Sequence, residues 1–143
     1  MEIKVINNSK NKLPEYKTPW SSGMDLQANE SLVLRPGEIK LVSTGIQVYI
    51  GDPLYELQIR SRSGLSCQGI IVVNSPATID ADYQGELKII LGNFGNKDFE
   101  VRVGDRIAQA ILVKVEKFTW KTVEEFEEVT ERAENGFGHT GLK

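Results

Sequence analysis

Apolar and polar residues alternate in short runs along most of this sequence. Residues 44–50 and 55–60 repeat with a period of two, the spacing of a strand that buries one face. Residues 2–7 alternate in the same way, and residues 70–73 and 87–91 are apolar runs rich in β-branched side chains, which is typical of buried strands. Turns containing glycine or proline separate the runs. The pattern predicts about ten short strands with little helix, and therefore an all-β sandwich or jelly roll.

Residues 74–86 lie between the two apolar runs and are predicted to form the end of a β-hairpin. Their Tyr-Gln-Gly sequence supplies a turn in which Gly85 is free to take a positive φ. This geometry places Asp80, Asp82 and Tyr83 at the open end of the hairpin. Asp80 has apolar neighbours on both sides, and a carboxylate held there suits a general base that takes a proton from water. The alternative is that both aspartates are solvated turn residues.

Polar residues also occur where strands are predicted to begin, end or continue. Residues 60–66 carry two arginines, three serines and a glycine, and such a stretch either presents N–H groups, hydroxyls and guanidinium forks to phosphate oxygens or forms a polar surface loop. Gln109 interrupts the apolar run 107–115 and needs a hydrogen-bond partner, either inside the protein or on a ligand. Asp25 follows a Ser-Ser-Gly bend at the start of a strand. Residues 60–66 and Gln109 are therefore candidates for ligand contacts.

The C-terminal part of the sequence differs from the strand-rich part. Residues 122–130 are acidic with apolar residues at three-residue spacing, which fits a helical turn or an extended strap. Residues 132–141 contain three glycines and one aromatic residue and cannot build core. The sequence predicts a β domain, residues 1–131, and a flexible C-terminal arm, residues 132–143. The arm is either a frayed end or a segment that closes over a charged aromatic ligand.

The composition is that of an ordinary globular domain. The 143 residues suffice for one core, and a net charge of −3 with interspersed signs argues against binding of nucleic acid through bulk charge. Cys67 is the only cysteine, which excludes an internal disulfide and predicts a cytoplasmic location. No apolar run approaches about 18 residues and no signal peptide is recognised, so neither a membrane span nor export is expected. A single histidine argues against a zinc cluster and a Ser-His-Asp triad.

Five polar stretches resemble, in order and spacing, the five motifs of the trimeric dUTP pyrophosphatases (dUTPases). They are residues 22–28, 62–65, 74–86, 104–109 and 132–141. The resemblance implies a jelly-roll homotrimer whose active sites lie between subunits. It also implies Mg²⁺-dependent hydrolysis of dUTP to dUMP and pyrophosphate by attack of water on the α-phosphorus. Such an activity limits uracil in DNA and supplies dUMP for dTMP synthesis.

The resemblance assigns the chemistry and the recognition of the nucleoside to the third motif. Asp80 would be the general base. Asn74 and the backbone around Thr78 and Ile79 would read the uracil edge, because fixed N–H and C=O groups accept uracil and mispair with cytosine. Tyr83 would pack beneath the sugar, where a 2′-hydroxyl would clash.

The resemblance assigns the triphosphate to the first, second and fourth motifs. The phosphate-binding residues would be Arg62, Ser63, Gly64 and Gln109. Asp25 would reach, through water, a Mg²⁺ ion that bridges the phosphates. From the arm, Arg132 would pair with the terminal phosphate and Phe137 would cover the base. His139 and Thr140 would add contacts as the arm closes.

The sequence departs from the family pattern at three positions. Ala133 and Asn135 stand where the family usually has glycines, and their side chains would stiffen the arm or alter its path over the phosphates. Ser61 stands where proline is common.

Two other functions fit parts of the same pattern. A dCTP deaminase-like enzyme would have the same fold and trimer but a different acid–base set, and the Asp-Ala-Asp-Tyr-Gln-Gly and Arg-Ser-Gly sequences favour the pyrophosphatase. A non-catalytic trimeric β protein with a binding or regulatory role would not require Asp80, Tyr83, Gln109 and Arg132 together.

Overall fold

Ten strands and one helical turn make up the described part of the chain in this computed structural model, which describes residues 1–127, 130 and 133–134. The elements in chain order are β1 (Lys4–Asn7), β2 (Met24–Gln27), β3 (Leu32–Leu34), β4 (Ile39–Tyr49), β5 (Tyr55–Arg60), α1 (Ser63–Ser66), β6 (Ile70–Val72), β7 (Ala77–Ile79), β8 (Glu86–Asn93), β9 (Phe99–Val101) and β10 (Arg106–Lys114). The predicted all-β class is confirmed. No helix among these residues is long and apolar enough to cross a membrane.

The strands form two four-stranded sheets and one small sheet. The orders are β1-β4-β8-β6, β2-β10-β5-β7 and β3-β9, and neighbouring strands are antiparallel. Side chains of both large sheets share one apolar core, with Leu26, Ile59 and Ile107 from one sheet and Val42 and Leu91 from the other. The architecture is a jelly-roll-like β-sandwich.

The period of two decides which side chains reach this core. In β8, Leu87 and Ile89 are buried and Lys88 between them is exposed. In β5, Leu57 and Ile59 are buried, as the alternation predicts. Full burial of one such side chain contributes about 1.5–3 kcal/mol. A slip of one residue would turn these side chains to solvent, so the core fixes the register of the strands that carry the site.

The segment around Asp80 differs from the predicted hairpin. Strands β6 and β8 do pair, with Val72 opposite Leu91, but β7 between them crosses to the other sheet and pairs with β5. The turn runs from Asp80 to Tyr83, where the Tyr83 N–H donates to the Asp80 carbonyl oxygen at 3.1 Å. The prediction of a turn at Tyr-Gln-Gly with a positive φ at Gly85 is wrong. A Cβ atom at Gly85 would instead overlap the Tyr83 ring in the position it takes here.

Two other segments differ from or narrow the prediction. Residues 63–66 form α1 where a polar loop was expected. Residues 122–127 and 130 form neither helix nor strand, and residues 128–129 lie outside the described residues. The described part of this segment therefore does not contain the helical turn.

Candidate active site

Strand β10 lies between β2 and β5. Near its first residues it brings the first, second and fourth motifs together. Gln109 on β10 is opposite Asp25 on β2 and opposite Arg60 on β5. Arg106 begins β10, and Arg62 follows the end of β5. We call Asp25, Arg62, Arg106 and Gln109 the charged cluster. Since each member stands on or beside a core strand, its backbone position is fixed by the sheet.

The Asp25 carboxylate binds two guanidinium groups. Its Oδ1 lies 2.9 Å from Arg62 Nε and its Oδ2 lies 3.2 Å from Arg106 Nη1. Arg62 Nη1 also donates to the Arg106 carbonyl oxygen at 2.7 Å. The side chains of Asp25 and Arg62 are only 18% and 27% exposed, so these contacts are partly shielded from water. A guanidinium has five N–H donors, and these contacts leave each arginine with donors for a phosphate.

Gln109 has an internal hydrogen-bond partner. Its Nε2 donates to the Ser61 carbonyl oxygen at 2.9 Å. Ser61 in turn donates its N–H to Ser75 Oγ at 3.2 Å, and its own Oγ accepts from the Val72 N–H at 2.8 Å. Proline has no N–H, so serine at this position adds a bond that the common family residue cannot make. These bonds tie the loop after β5 to the third motif.

Helix α1 places Ser63 and Gly64 beside Arg62 on the surface. The N–H groups of Leu65 and Ser66 donate to the Arg62 carbonyl oxygen at 3.0 and 2.9 Å, which closes the turn. Ser63 and Gly64 are exposed, and a Cβ atom at Gly64 would meet no described residue within 4 Å. The fold of the single chain therefore gives no steric reason for glycine at this position.

Residues 80–83, which we call the acidic turn, lie on the surface. Asp80 is exposed, and Tyr83 is 44% exposed. The Ala81 carbonyl oxygen accepts from the Gly51 N–H at 3.0 Å, so the turn is attached to the loop between β4 and β5. An open cleft of about 450 Å³ lies beside Asp80. Backbone bonds and the Tyr83 hydroxyl, which donates to the Glu86 carbonyl oxygen at 3.1 Å, hold the turn, while Asp80 faces solvent.

The acidic turn and the charged cluster are separate in the single chain. Ile79 of β7 is opposite Leu57 of β5, which is opposite Leu112 of β10. Leu112 lies three residues beyond Gln109 along the strand, and β7 lies two strands away from β10. At about 3.3 Å per residue and about 4.8 Å per strand, Gln109 is roughly 14 Å from Ile79. Asp80 lies one residue further, so one chain does not bring the candidate base to the candidate phosphate site.

The third motif extends from one group to the other. Asn74 is exposed and precedes Ser75, whose hydroxyl accepts the Ser61 N–H beside the charged cluster. Thr78 is exposed and Ile79 is half-buried in β7, which leads to the acidic turn. Of the residues predicted to read the base, Thr78 and Ile79 lie on edge strand β7 and Asn74 lies in the turn that precedes it.

Two residues absent from the predicted site are important in the structure. Arg106 lies in the fourth motif but was not predicted to be a site residue, and its ion pair with Asp25 joins residues 81 positions apart. Glu86 opens β8, and its carboxylate accepts hydrogen bonds from the Ser43 hydroxyl and the Gly45 N–H. Burial raises the pKa of Glu86, but these hydrogen bonds and the charge of Lys88 outweigh it, so the pKa lies below its usual 4.5. The sequence signal that could have identified Glu86 is the position of an acidic residue at the start of an apolar strand.

The arm enters the described structure at only two residues. Ala133 has a φ of 43°, in the left-handed region that favours glycine, and its N–H donates to Thr130 Oγ1 at 3.0 Å. Glu134 is the other described residue. The predicted site residues outside the described residues are Arg132, Phe137, His139 and Thr140.

Comparisons with known proteins agree with the motifs. The family model described as dUTPase matches residues 9–141. The deoxyuridine 5′-triphosphate nucleotidohydrolase of Rickettsia bellii is 48% identical, and the match covers 99% of this chain and 95% of that protein. The protein of the same name from Finegoldia magna is also 48% identical, with 99% of each chain covered.

Solved structures show the same architecture. The dUTPase of Staphylococcus bacteriophage 80alpha, solved with dUpNHpp, superposes with a TM-score of 0.89 at 29% identity and 99% coverage of each chain. A mutant dUTPase from phage phi11 of S. aureus, described with a structural Mg(II) ion, has a TM-score of 0.81 at 25% identity, covering 90% of this chain and 100% of that one. The resemblance seen in the five motifs is thereby confirmed, and this chain belongs to the dUTPase family.

Proposed function

We propose that this protein hydrolyses dUTP to dUMP and pyrophosphate. The observation that carries the proposal is the charged cluster, in which one partly buried carboxylate orients two guanidinium groups beside the exposed Ser63 and Gly64. The named activity of the relatives and the dUpNHpp in the phage 80alpha structure support a deoxyuridine triphosphate as the ligand. Hydrolysis of dUTP limits uracil in DNA and supplies dUMP for dTMP synthesis.

The charged cluster binds the triphosphate. Arg62 keeps unused N–H donors after its bonds to Asp25 and to the Arg106 carbonyl oxygen, and these donors pair with phosphate oxygens. Gln109 and the loop at Ser63 and Gly64 complete the phosphate contacts. The open space at Gly64 lets the ligand approach the backbone closely.

Asp80 acts as the general base. Its carboxylate takes a proton from a water molecule, whose oxygen forms a bond to the α-phosphorus as the bond from that phosphorus to pyrophosphate breaks. Asn74 and the backbone at Thr78 and Ile79 bind the uracil edge, and Tyr83 packs beneath the sugar. A cytosine would leave the fixed polar groups of this edge unpaired, which is the basis of substrate choice.

The donor set fits a Mg²⁺ ion that arrives with the triphosphate. Among the described residues, no group of three His, Cys, Asp or Glu side chains could hold a metal, and Asp25 is the carboxylate of the charged cluster. Mg²⁺ commonly keeps several waters and uses one or two carboxylates together with substrate phosphates, which matches this arrangement. Bound there, the ion would neutralise phosphate charge and orient the phosphates. Asp25 would hold the ion through water while keeping Arg62 and Arg106 in place.

The active site is shared between copies in a homotrimer. The distance of roughly 14 Å between Gln109 and Ile79, estimated from strand geometry, supports a site in which a second copy supplies the acidic turn. Exposed Phe118, Trp120 and Phe126 after β10 supply apolar surface for contact between copies. In the arm, Arg132, Phe137, His139 and Thr140 close over the bound nucleotide. The single cysteine supports an intracellular location.

The experiment that tests this function measures pyrophosphate release from dUTP, dCTP, dTTP and UTP with Mg²⁺ present. We expect dUTP to be cleaved far faster than the other three. Equal rates on all four would contradict the proposal, and ammonia release from dCTP would indicate a deaminase. A trimer that releases neither product would indicate a non-catalytic binding protein.

Sedimentation of the same sample should give three times 16.0 kDa, about 48 kDa, and a monomer fully active at high dilution would contradict the shared site.

A further inference from the structure

Strand β4 has an irregularity opposite the start of β8. Ser43 is opposite Lys88 and Gln47 is opposite Glu86, so three residues of β4 stand against one of β8. Gly45 within this bulge has a φ of 69°, and a Cβ atom there would lie 2.8 Å from the Ser9 side chain. The bulge therefore depends on glycine, and its backbone groups need partners other than the regular ladder.

The Glu86 carboxylate supplies those partners. Its Oε1 accepts both the Ser43 hydroxyl and the Gly45 N–H, the latter at 2.8 Å. Thr44 Oγ1 adds a bond to the Leu87 carbonyl oxygen at 2.6 Å. The Glu86 side chain is 25% exposed, with Lys88 Nζ at 3.8 Å. These contacts fix the first two residues of β8 against the bulge of β4.

The backbone of the same glutamate holds Tyr83. The Tyr83 hydroxyl donates to the Glu86 carbonyl oxygen at 3.1 Å. Gly85 lets the ring lie close to the backbone, since a Cβ atom there would overlap it. Because Tyr83 is 44% exposed, packing alone does not fix its ring. Its orientation depends on a carbonyl group whose own position depends on the Glu86 carboxylate.

We propose that Glu86 is a positioning residue that, through Tyr83, sets the discrimination between 2′-deoxyribose and ribose in the nucleotide. The inference rests on the proposed function, in which Tyr83 packs beneath the sugar. A hydroxyl at the 2′ position is rejected only if the ring stays close to the sugar. When the start of β8 is no longer bonded to the bulge of β4, the Tyr83 ring can move away from the sugar. The ribose of UTP then fits more easily. Glu86 does not contact the nucleotide in this arrangement.

The test compares kcat/KM for dUTP and for UTP in Glu86→Ala, Glu86→Gln and Tyr83→Phe. We expect the dUTP/UTP ratio to fall by roughly tenfold to a hundredfold in Glu86→Ala, the size of effect that a small misplacement of a positioning group produces. Glu86→Gln keeps an Oε1 acceptor and should retain more of the ratio. Tyr83→Phe removes the hydrogen bond from the Tyr83 hydroxyl to the Glu86 carbonyl oxygen, so it should lower the dUTP/UTP ratio too. In the double variant Glu86→Ala/Tyr83→Phe, the ratio should be no lower than in the more affected single variant.

Two controls separate positioning from loss of stability. Glu100→Ala removes an exposed glutamate that pairs with Arg102, away from the acidic turn, and should leave the ratio unchanged. Ile89→Val loosens the packing of β8 without touching the bulge contacts and should also leave it unchanged. Equal losses for dUTP and UTP in the Glu86 variants would overturn the proposal. A wild-type protein that cleaves both nucleotides equally would instead overturn the proposed function, so the two failures are distinguishable.

Discussion

Asp25 and Asp80, the two carboxylates of the candidate site, have opposite surroundings in this chain. Asp25 is partly buried and binds two arginines, while Asp80 is exposed in a turn that is held by backbone bonds and by the Tyr83 hydroxyl. The charged cluster is therefore oriented before any ligand binds, which is the arrangement that stabilises phosphate charge most effectively. In the proposed trimer, the ligand and a second copy would complete the surroundings of the acidic turn.

This difference separates effects on stability from effects on activity. Removing one partner from a partly buried ion pair leaves a charge without compensation, so substitutions in the charged cluster affect folding as well as binding. Asp80 forms no ion pair with the described residues, so its replacement should affect mainly the chemistry. The two regions can thus be told apart by measuring both quantities for each variant.

The largest effect is expected at Asp80. Asp80→Asn keeps the shape and removes the base, so kcat should fall by roughly 10²–10⁴ while the free energy of unfolding changes by no more than about 0.5 kcal/mol. Steady-state kinetics and urea unfolding check the two parts. Asp82→Asn is the matched control in the same turn and should retain most of the activity. If Asp80→Asn keeps more than about a tenth of the wild-type kcat, another group activates the water.

The arm tests whether the acidic turn needs further cover. A chain that ends at residue 131 lacks Arg132 and Phe137, so it should lose most of its kcat, about tenfold or more, because water is no longer excluded at closure. Its free energy of unfolding should stay within about 1 kcal/mol of the full chain, since the sequence of residues 132–143 holds too few apolar groups to build core. Sedimentation and thermal unfolding check that it remains an intact trimer.

Ala133 offers a milder variant of the same test. Its φ of 43° is strained for alanine, so Ala133→Gly should relieve about 1 kcal/mol at this residue. We expect Ala133→Gly to keep or raise kcat. A truncated chain that turns over dUTP as fast as the full chain would show that the arm is only a frayed end.

A loss of activity smaller than that of Asp80→Asn is expected in the charged cluster when the charge of Arg62 is kept but its guanidinium group is removed. Arg62→Lys cannot bind Asp25 Oδ1 and the Arg106 carbonyl oxygen together, so kcat/KM for dUTP should fall by roughly 10–100-fold, the equivalent of about 1.5–3 kcal/mol for a charge-assisted bond. Arg102→Lys is the control, because Arg102 is 70% exposed and pairs only with Glu100 in the described structure. An Arg62→Lys enzyme with unchanged kcat/KM would show that the cluster is structural and does not contact the phosphates.

The sequence predicted local order well and long-range contacts poorly. The alternation in residues 55–60 matches β5, because burial on one face imposes the period of two. Strand β7 was missed because three residues, Ala77–Ile79, carry too little periodicity to distinguish a strand from a loop. The turn was placed at Gly85 because glycine often signals positive φ, whereas here the Tyr83 ring requires the space.

For the candidate site, the motifs predicted which residues take part, but their hydrogen-bond and ion-pair partners are known only from the strand pairing in the structure. Gln109 was predicted to need a partner, yet nothing in its local sequence identifies the Ser61 carbonyl oxygen, 48 positions away. The pairing of Arg106 with Asp25 likewise follows from β10 lying next to β2. Side-chain chemistry is a local property of the sequence, whereas its neighbours are set by sheet order.

The smallest effect concerns the pH dependence of stability at Glu86. Because the pKa of Glu86 in the folded protein lies below its usual 4.5, the folded state favours the ionised carboxylate. The contribution of the ionised Glu86 carboxylate to stability is therefore complete above about pH 4.5 and is lost as the pH falls through the folded-state pKa. Glu86→Gln cannot ionise, so the variant should be less stable by about 1.5–3 kcal/mol at neutral pH, the value of a bond to a charged group. That difference should shrink on acidification, as measured by urea unfolding between pH 7 and the lowest pH at which the protein stays folded. Glu100→Gln is the exposed control and should show a small difference at every pH, since surface ion pairs contribute little. A Glu86→Gln deficit that is the same in acid and at neutral pH would show that the shape of the side chain, and not its charge, holds the bulge beside the acidic turn.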